Sequence, residues 1–140
     1  MKGQSLYGAL VYNHVKVDNQ VARVLGSSRI RETADGTINL QNSLSSFEPY
    51  LIANKRTGKP VIHISLNPHP KDVLSDEQMR MIGQEYLEKL GYGDQPYIIY
   101  KHEDIDRPHL HIVTVGIDEN GKKINDSYEH RRSETITDEL

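Results

Sequence analysis

The sequence predicts an α+β domain, an antiparallel sheet with helices on one face. Three observations lead there. Helical and strand periodicities alternate along 140 residues, with no internal repeat and no low-complexity tract. Residues 75–90 read as a helix complete with both its end signals. The two strand signals at 97–101 and 110–117 are separated only by residues 103–108, a connection short enough for an antiparallel return.

Each element follows in chain order. Ser5 is a natural N-cap for a short helix over 6–14, in which Tyr7, Leu10, Val11 and His14 fall near one side. Val21 to Leu25 has strand character. Gly26-Ser27-Ser28 and Ala34-Asp35-Gly36 then break the pattern, so much of 15–44 is expected to be a partly mobile excursion. Phe47, Tyr50 and Leu51 fit a helix that starts at Ser45 or Ser46 and ends near Asn54. Val61 to Leu66 is a β-branched, apolar run closed by Asn67-Pro68, as an interior strand should be. The helix over 75–90 has Ser75 as N-cap, Asp76 and Glu77 in its first turn, and Met79, Ile82, Tyr86, Leu87 and Leu90 on one face. Gly91 is its stop. Asp118 to Gly121 supplies a turn after the last strand.

Composition narrows the chemistry. The length suits one domain, and 36% hydrophobic with 26% charged residues is an ordinary globular balance. There is no cysteine, so disulfides and thiolate metal sites are excluded and any metal must take nitrogen or oxygen ligands. No apolar run is long enough to span a bilayer and no secretory signal opens the chain, so the expected location is cytoplasmic, without a membrane partner. The net charge of -3 argues against holding a polyanion by bulk positive charge. The charge is uneven, however: residues 1–62 are net positive and 63–140 net negative. A basic N-terminal part can guide a polyanion towards an acidic, metal-holding centre.

The concentrated chemical signal runs from His102 to His111. His109 and His111 are two apart on a strand, so both point to one face, with Cα atoms about 6.5 to 7 Å apart. His102 closes the preceding strand, and a hairpin return sets it beside the pair as a third nitrogen ligand. Three neutral nitrogens with coordination positions left over describe a catalytic rather than a closed structural site. Asp104 and Asp106 are candidate acceptors for an imidazole N–H, Asp104 the better placed because it lies two residues from His102. A nucleophile must be sought separately. Tyr7 and Tyr12 both lie in the basic N-terminal part near Lys2 and Lys16, and a cation nearby helps a phenol to react.

These residues resemble a known family. The histidine segment is similar to the metal-binding motif of the HUH endonucleases, and the chain looks like a relaxase or mobilisation nuclease of the MobA type. Three blocks carry the likeness: residues 2–12, residues 59–66, and residues 102–118, with the 75–90 helix between the last two. The resemblance implies an HUH or ferredoxin-like palm, and metal-dependent nicking and rejoining of single-stranded DNA at a plasmid or mobile-element transfer origin. A tyrosine would attack the scissile phosphodiester and form a 5′-phosphotyrosine link. It implies Tyr12 as that nucleophile, His102, His109 and His111 as ligands, Asp104 as their support, and Mg2+ or Mn2+ as the ion. Imidazole ligands alone point as readily to Zn2+. Glu48 is a candidate proton acceptor for Tyr12 or a further carboxylate at the metal. Lys2, Arg23, Arg29, Arg31, Lys55, Arg56, Arg131 and Arg132, in loops or at segment ends, are candidate phosphate contacts.

Accessory relaxosome proteins are possible partners on this reading. A replication initiator of the same superfamily, or a noncatalytic metal-binding or DNA-binding module of the same fold, are the alternatives. Many relatives have an Asn where this chain has Val115. The initial strand is expected to be short or missing, and residues 1–140 to be the nicking domain of a longer protein.

Overall fold

The computed structural model describes residues 5–68, 73–103 and 108–124, and the backbone of 2–3. Its elements are β1 (Lys2–Gly3), α1 (Leu6–Asp18), β2 (Ala22–Ser28), α2 (Leu40–Ala53), β3 (Val61–Leu66), α3 (Asp76–Leu90), β4 (Tyr97–His102) and β5 (His109–Val115). The strands form a five-stranded sheet in the order β1-β3-β5-β4-β2, every neighbouring pair antiparallel. The α+β class with an antiparallel sheet is as expected, and the first strand is described over Lys2–Gly3.

The layering differs from expectation: helices cover both faces of the sheet. One core gathers Ile62, Ile64, Leu66, Tyr97, Ile99, Leu110 and Ile112 under α3 residues Met79, Tyr86, Leu87 and Leu90. The other gathers Val61, Ile98, Tyr100, Val113 and Val115 against Leu6 and Leu10 of α1 and Phe47 of α2. Neighbouring residues of one strand thus belong to opposite cores, as the period of two demands. All six residues of β4 are buried. A strand apolar on both sides needs cover on both sides, so a single helical layer would leave half of β4 bare. Val115, where the resemblance led to an expectation of Asn, is fully buried in the second core.

Local signals explain the helices. Ser5 caps α1 by accepting from the Gly8 N–H at 2.9 Å. Its buried face is Leu6, Leu10, Asn13 and His14, leaving Tyr7 exposed, so the inward side is rotated from the one expected. The helix also runs four residues further than expected, to Asp18. Asn39, whose side chain accepts from the Asn42 N–H at 2.7 Å, starts α2 well before Ser45. The connection before it is organised by Asp35, whose carboxylate takes bonds from the Thr33 and Thr37 hydroxyls and the Thr37 N–H; those bonds hold its pKa down to about 2. β2 extends through Ser28 with an irregularity between Val24 and Gly26. Residues 15–44 thus hold the end of α1, all of β2 and the start of α2, with 29–39 as the irregular connection.

For α3 the expectation holds in detail. Ser75 and Gln78 form a reciprocal capping box, and Gly91 closes the helix at φ 91°, where a side chain would be strained. Gly83 lets α3 lie close on the sheet: a Cβ there would stand 3.1 Å from Ile99 Cδ1. Gln95 ties the start of β4 to the end of β5, its Nε2 donating to the Val115 and Ile117 carbonyls at 2.7 Å. No helix among the described residues is long and apolar enough to cross a membrane.

Candidate active site

The sheet register brings four imidazoles together. His102 at the end of β4 stands opposite His109 at the start of β5, and His111 lies between Tyr100 of β4 and Ser65 of β3. Directly paired residues share a face, as do residues two apart on one strand. His102, His109, His111 and His63 of β3 therefore all project to the face that α1 covers. Ligand nitrogens of His102, His109 and His111 lie within 4.8 Å of one another. The His102 and His111 rings are stacked with centroids 4.0 Å apart, and His109 is 4.9 Å from His111 and 5.4 Å from His102. Three convergent imidazoles that close, with no thiolate, fit a divalent ion.

Tyr12 comes from α1. Its ring centroid is 6.0 Å from those of His102 and His111 and 6.1 Å from that of His63. Tyr12 is 46% exposed, so a substrate in solvent can reach it while the imidazoles stay beneath. Lys16, one helical turn on, places its Nζ 5.2 Å from the Tyr12 ring centroid and brings a positive charge to the phenol's side. Tyr7 is on the outer surface, 61% exposed.

Two further hydrogen bonds hold the imidazoles. Asn13, fully buried, donates its Nδ2 to the Ala9 carbonyl at 2.8 Å and turns Oδ1 to His102 Nε2 at 2.7 Å. His63 Nε2 meets His111 Nδ1 at 3.0 Å. Burial lowers the His63 pKa and keeps its ring neutral at pH 7, so it can accept from His111. On the far side of Asn13, His14 is also lowered by burial and meets Tyr100 edge-on at 5.7 Å. Burial pushes the Tyr100 phenol well above its ordinary range, so it stays protonated.

A family model for relaxases, described as the MobA/VirD2-like nuclease domain, matches residues 12–140. The chain belongs to this relaxase family. No curated protein and no solved structure matches it. Membership makes it a nuclease domain of the DNA-nicking kind, one that binds single-stranded DNA and depends on a metal.

Of the residues singled out from sequence, the relaxase fold brings together Tyr12, His102, His109 and His111. Glu48 is exposed on α2 and, among the described residues, has no hydrogen bond or ion pair to Tyr12. Asp104, Arg131, Arg132 and the Lys2 side chain lie outside the described residues. The other basic residues divide between the two ends of the sheet. Arg23 is at the His102 end, where it pairs with Asp76 at 2.9 Å and Glu103 at 3.6 Å. Arg29 follows Ser28, which is paired with Tyr97 at the opposite end, and it engages Glu119 at 3.2 Å and the Tyr50 hydroxyl at 3.4 Å. Arg31, Lys55 and Arg56, all exposed, belong to the connections at that far end. Six-residue strands separate the two ends by roughly 17 Å, so these cations do not ring the imidazoles.

His63 and Asn13 were missed. Asn13 had a visible signal: with His14 it falls on the inward positions set by Leu6 and Leu10, where a polar side chain needs a partner. His63 had only strand parity, and without the β3–β5 register that parity does not say which neighbour it meets.

Proposed function

We propose that this relaxase domain nicks and rejoins single-stranded DNA at a transfer origin of a plasmid or other mobile element, through a covalent bond between Tyr12 and the DNA 5′ phosphate. The reading rests on one observation above all: an exposed tyrosine stands within 6.1 Å of three histidines, two of which belong to a cluster able to hold a metal. His102, His109 and His111 would hold Mg2+ or Mn2+ in the cytoplasm. When bound, the ion withdraws charge from the scissile phosphate and offsets its repulsion of an approaching phenolate.

The chain's own residues supply position. Helix α1, seated by Leu6 and Leu10, brings the Tyr12 ring within 6.1 Å of the imidazoles, so the reaction would become a matter of docking one phosphodiester between them. The Tyr12 oxygen forms a bond to phosphorus as the bond from phosphorus to the 3′ oxygen breaks; the phenol loses its proton and the departing 3′ oxygen gains one. One phosphodiester is exchanged for another. The bond energy is retained and the 3′-OH can reverse the step, which suits strand transfer. Lys16, with its Nζ 5.2 Å from the Tyr12 ring centroid, would put a positive charge beside the incoming phosphate. Arg29, Arg31, Lys55 and Arg56 would meet the strand some nucleotides away from the scissile phosphate.

The test uses end-labelled single-stranded oligonucleotides tiling the DNA beside the coding sequence, incubated with the protein and Mn2+. A denaturant-resistant protein–DNA adduct is expected, lost in Tyr12→Phe and kept in Tyr7→Phe. An adduct that survives Tyr12→Phe and disappears in Tyr7→Phe would move the nucleophile to Tyr7.

A further inference from the structure

We infer that Asn13 is a positioning residue of the metal centre: it keeps the proton of His102 on Nε2, so that this ligand binds through Nδ1. The inference rests on the proposed metal site. A carboxamide has one end that donates and one that accepts. Its donor end is committed, because Asn13 Nδ2 gives a hydrogen bond to the Ala9 carbonyl one turn back on α1 at 2.8 Å. The end that meets His102 Nε2 at 2.7 Å is then the oxygen, which only accepts. His102 Nε2 must carry the hydrogen, and in a neutral imidazole the lone pair for a metal lies on the other nitrogen.

His111 is held in the opposite sense. Its Nδ1 meets His63 Nε2 at 3.0 Å, and with His111 Nδ1 as the donor of that bond the lone pair left for an ion is on His111 Nε2. Two stacked rings with centroids 4.0 Å apart thus offer different nitrogens to one ion. Both Asn13 and His102 are fully buried, so water does not compete for this bond. Metal ligands commonly have such a partner on the second ring nitrogen, and its loss weakens binding by roughly 10- to 100-fold. Here the partner sits beside Tyr12 on α1. One helix therefore fixes both the nucleophile and the orientation of a ligand 89 positions away.

The experiment reads the tautomer and the metal separately. Long-range 15N NMR of the metal-free protein at pH 7.5 should show His102 protonated at Nε2. Asn13→Leu should lose that preference and bind Mn2+ about 10- to 100-fold more weakly by calorimetry, with nicking recovering as Mn2+ is raised. Asn13→Asp, which keeps an acceptor oxygen, should keep the Nε2–H tautomer and bind within a few-fold of wild type, and it serves alone if the leucine variant does not fold. An Nδ1–H tautomer of His102 in the wild type overturns the inference, as does Mn2+ affinity unchanged in a folded Asn13→Leu. A wild type with the Nε2–H tautomer and no Mn2+ binding would overturn the metal site and leave the Asn13–His102 bond standing.

Discussion

His14 shows how a single buried ring makes the domain sensitive to acid. Its pKa lies below the usual 6.5, mainly through desolvation, so between the two values the unfolded chain binds a proton that the folded chain refuses. Stability is then fully present above pH 6.5 and falls as the pH drops towards the folded-state value. In EDTA, urea midpoints of the wild type are expected to fall between pH 7.5 and 5.5. His14→Phe, which keeps an aromatic ring against Tyr100, should fall by less; an equal fall in the two proteins would remove His14 as the cause. His63, shifted the same way by burial, accounts for part of what remains. At the metal cluster, His109→Ala and His111→Ala should each lower Mn2+ affinity and adduct formation together, and unchanged Mn2+ binding in both would remove the ligand assignment.

Among the elements, α3 is tied to the sheet by charge as well as by its apolar face. Asp76 at its start takes Lys101 of β4 at 2.7 Å and Arg23 of β2 at 2.9 Å, and these bonds hold its carboxyl below the usual range. Lys101 is buried while Asp76 is half-exposed, so solvent screens part of the attraction. Asp76→Asn should cost on the order of 1 kcal/mol in urea unfolding at pH 7. The loss should shrink as the pH falls below 3.8, where the unfolded chain takes up the proton first, and vanish once the pH is below the lowered value at which the folded carboxylate also protonates; a pH-independent loss would point to the helix cap instead. The same helix shows what a sequence reveals best. Its caps and apolar face are written within the seventeen adjacent positions from Ser75 to Gly91, and both ends are legible there. The strand over 61–66 and the hairpin bearing His102, His109 and His111 were equally legible, because period and spacing are local properties. The start of α2 was not, because Asn39 caps it ahead of a polar stretch with no apolar periodicity. Nor was the second helical layer, which depends on strands being buried on both sides. Asn13 and His63 join the site only through contacts between distant elements, and composition does not encode a register.

For the molecule as a whole, the metal cluster links ligand binding to stability. An ion held only by the folded state at 100 times its dissociation constant adds about 2.7 kcal/mol, or roughly 5 to 10 °C in Tm for a domain of this size. Mn2+ should raise the melting temperature accordingly and EDTA should reverse it; a wild type whose Tm ignores saturating Mn2+ and Mg2+ does not hold an ion there. The placement of the parts also bears on folding order. His102, His109 and His111 belong to one hairpin of adjacent strands, a local structure that closes quickly. Asn13 is 89 positions upstream of His102 and Tyr12 one further, so their contacts with the cluster are long-range and are expected to form later, when α1 docks on the sheet. If Tyr12 is the nucleophile, a nascent or half-folded chain would gather the three histidines before its nucleophile is in place. On the proposed mechanism, completion of the tertiary structure is what would arm the nuclease.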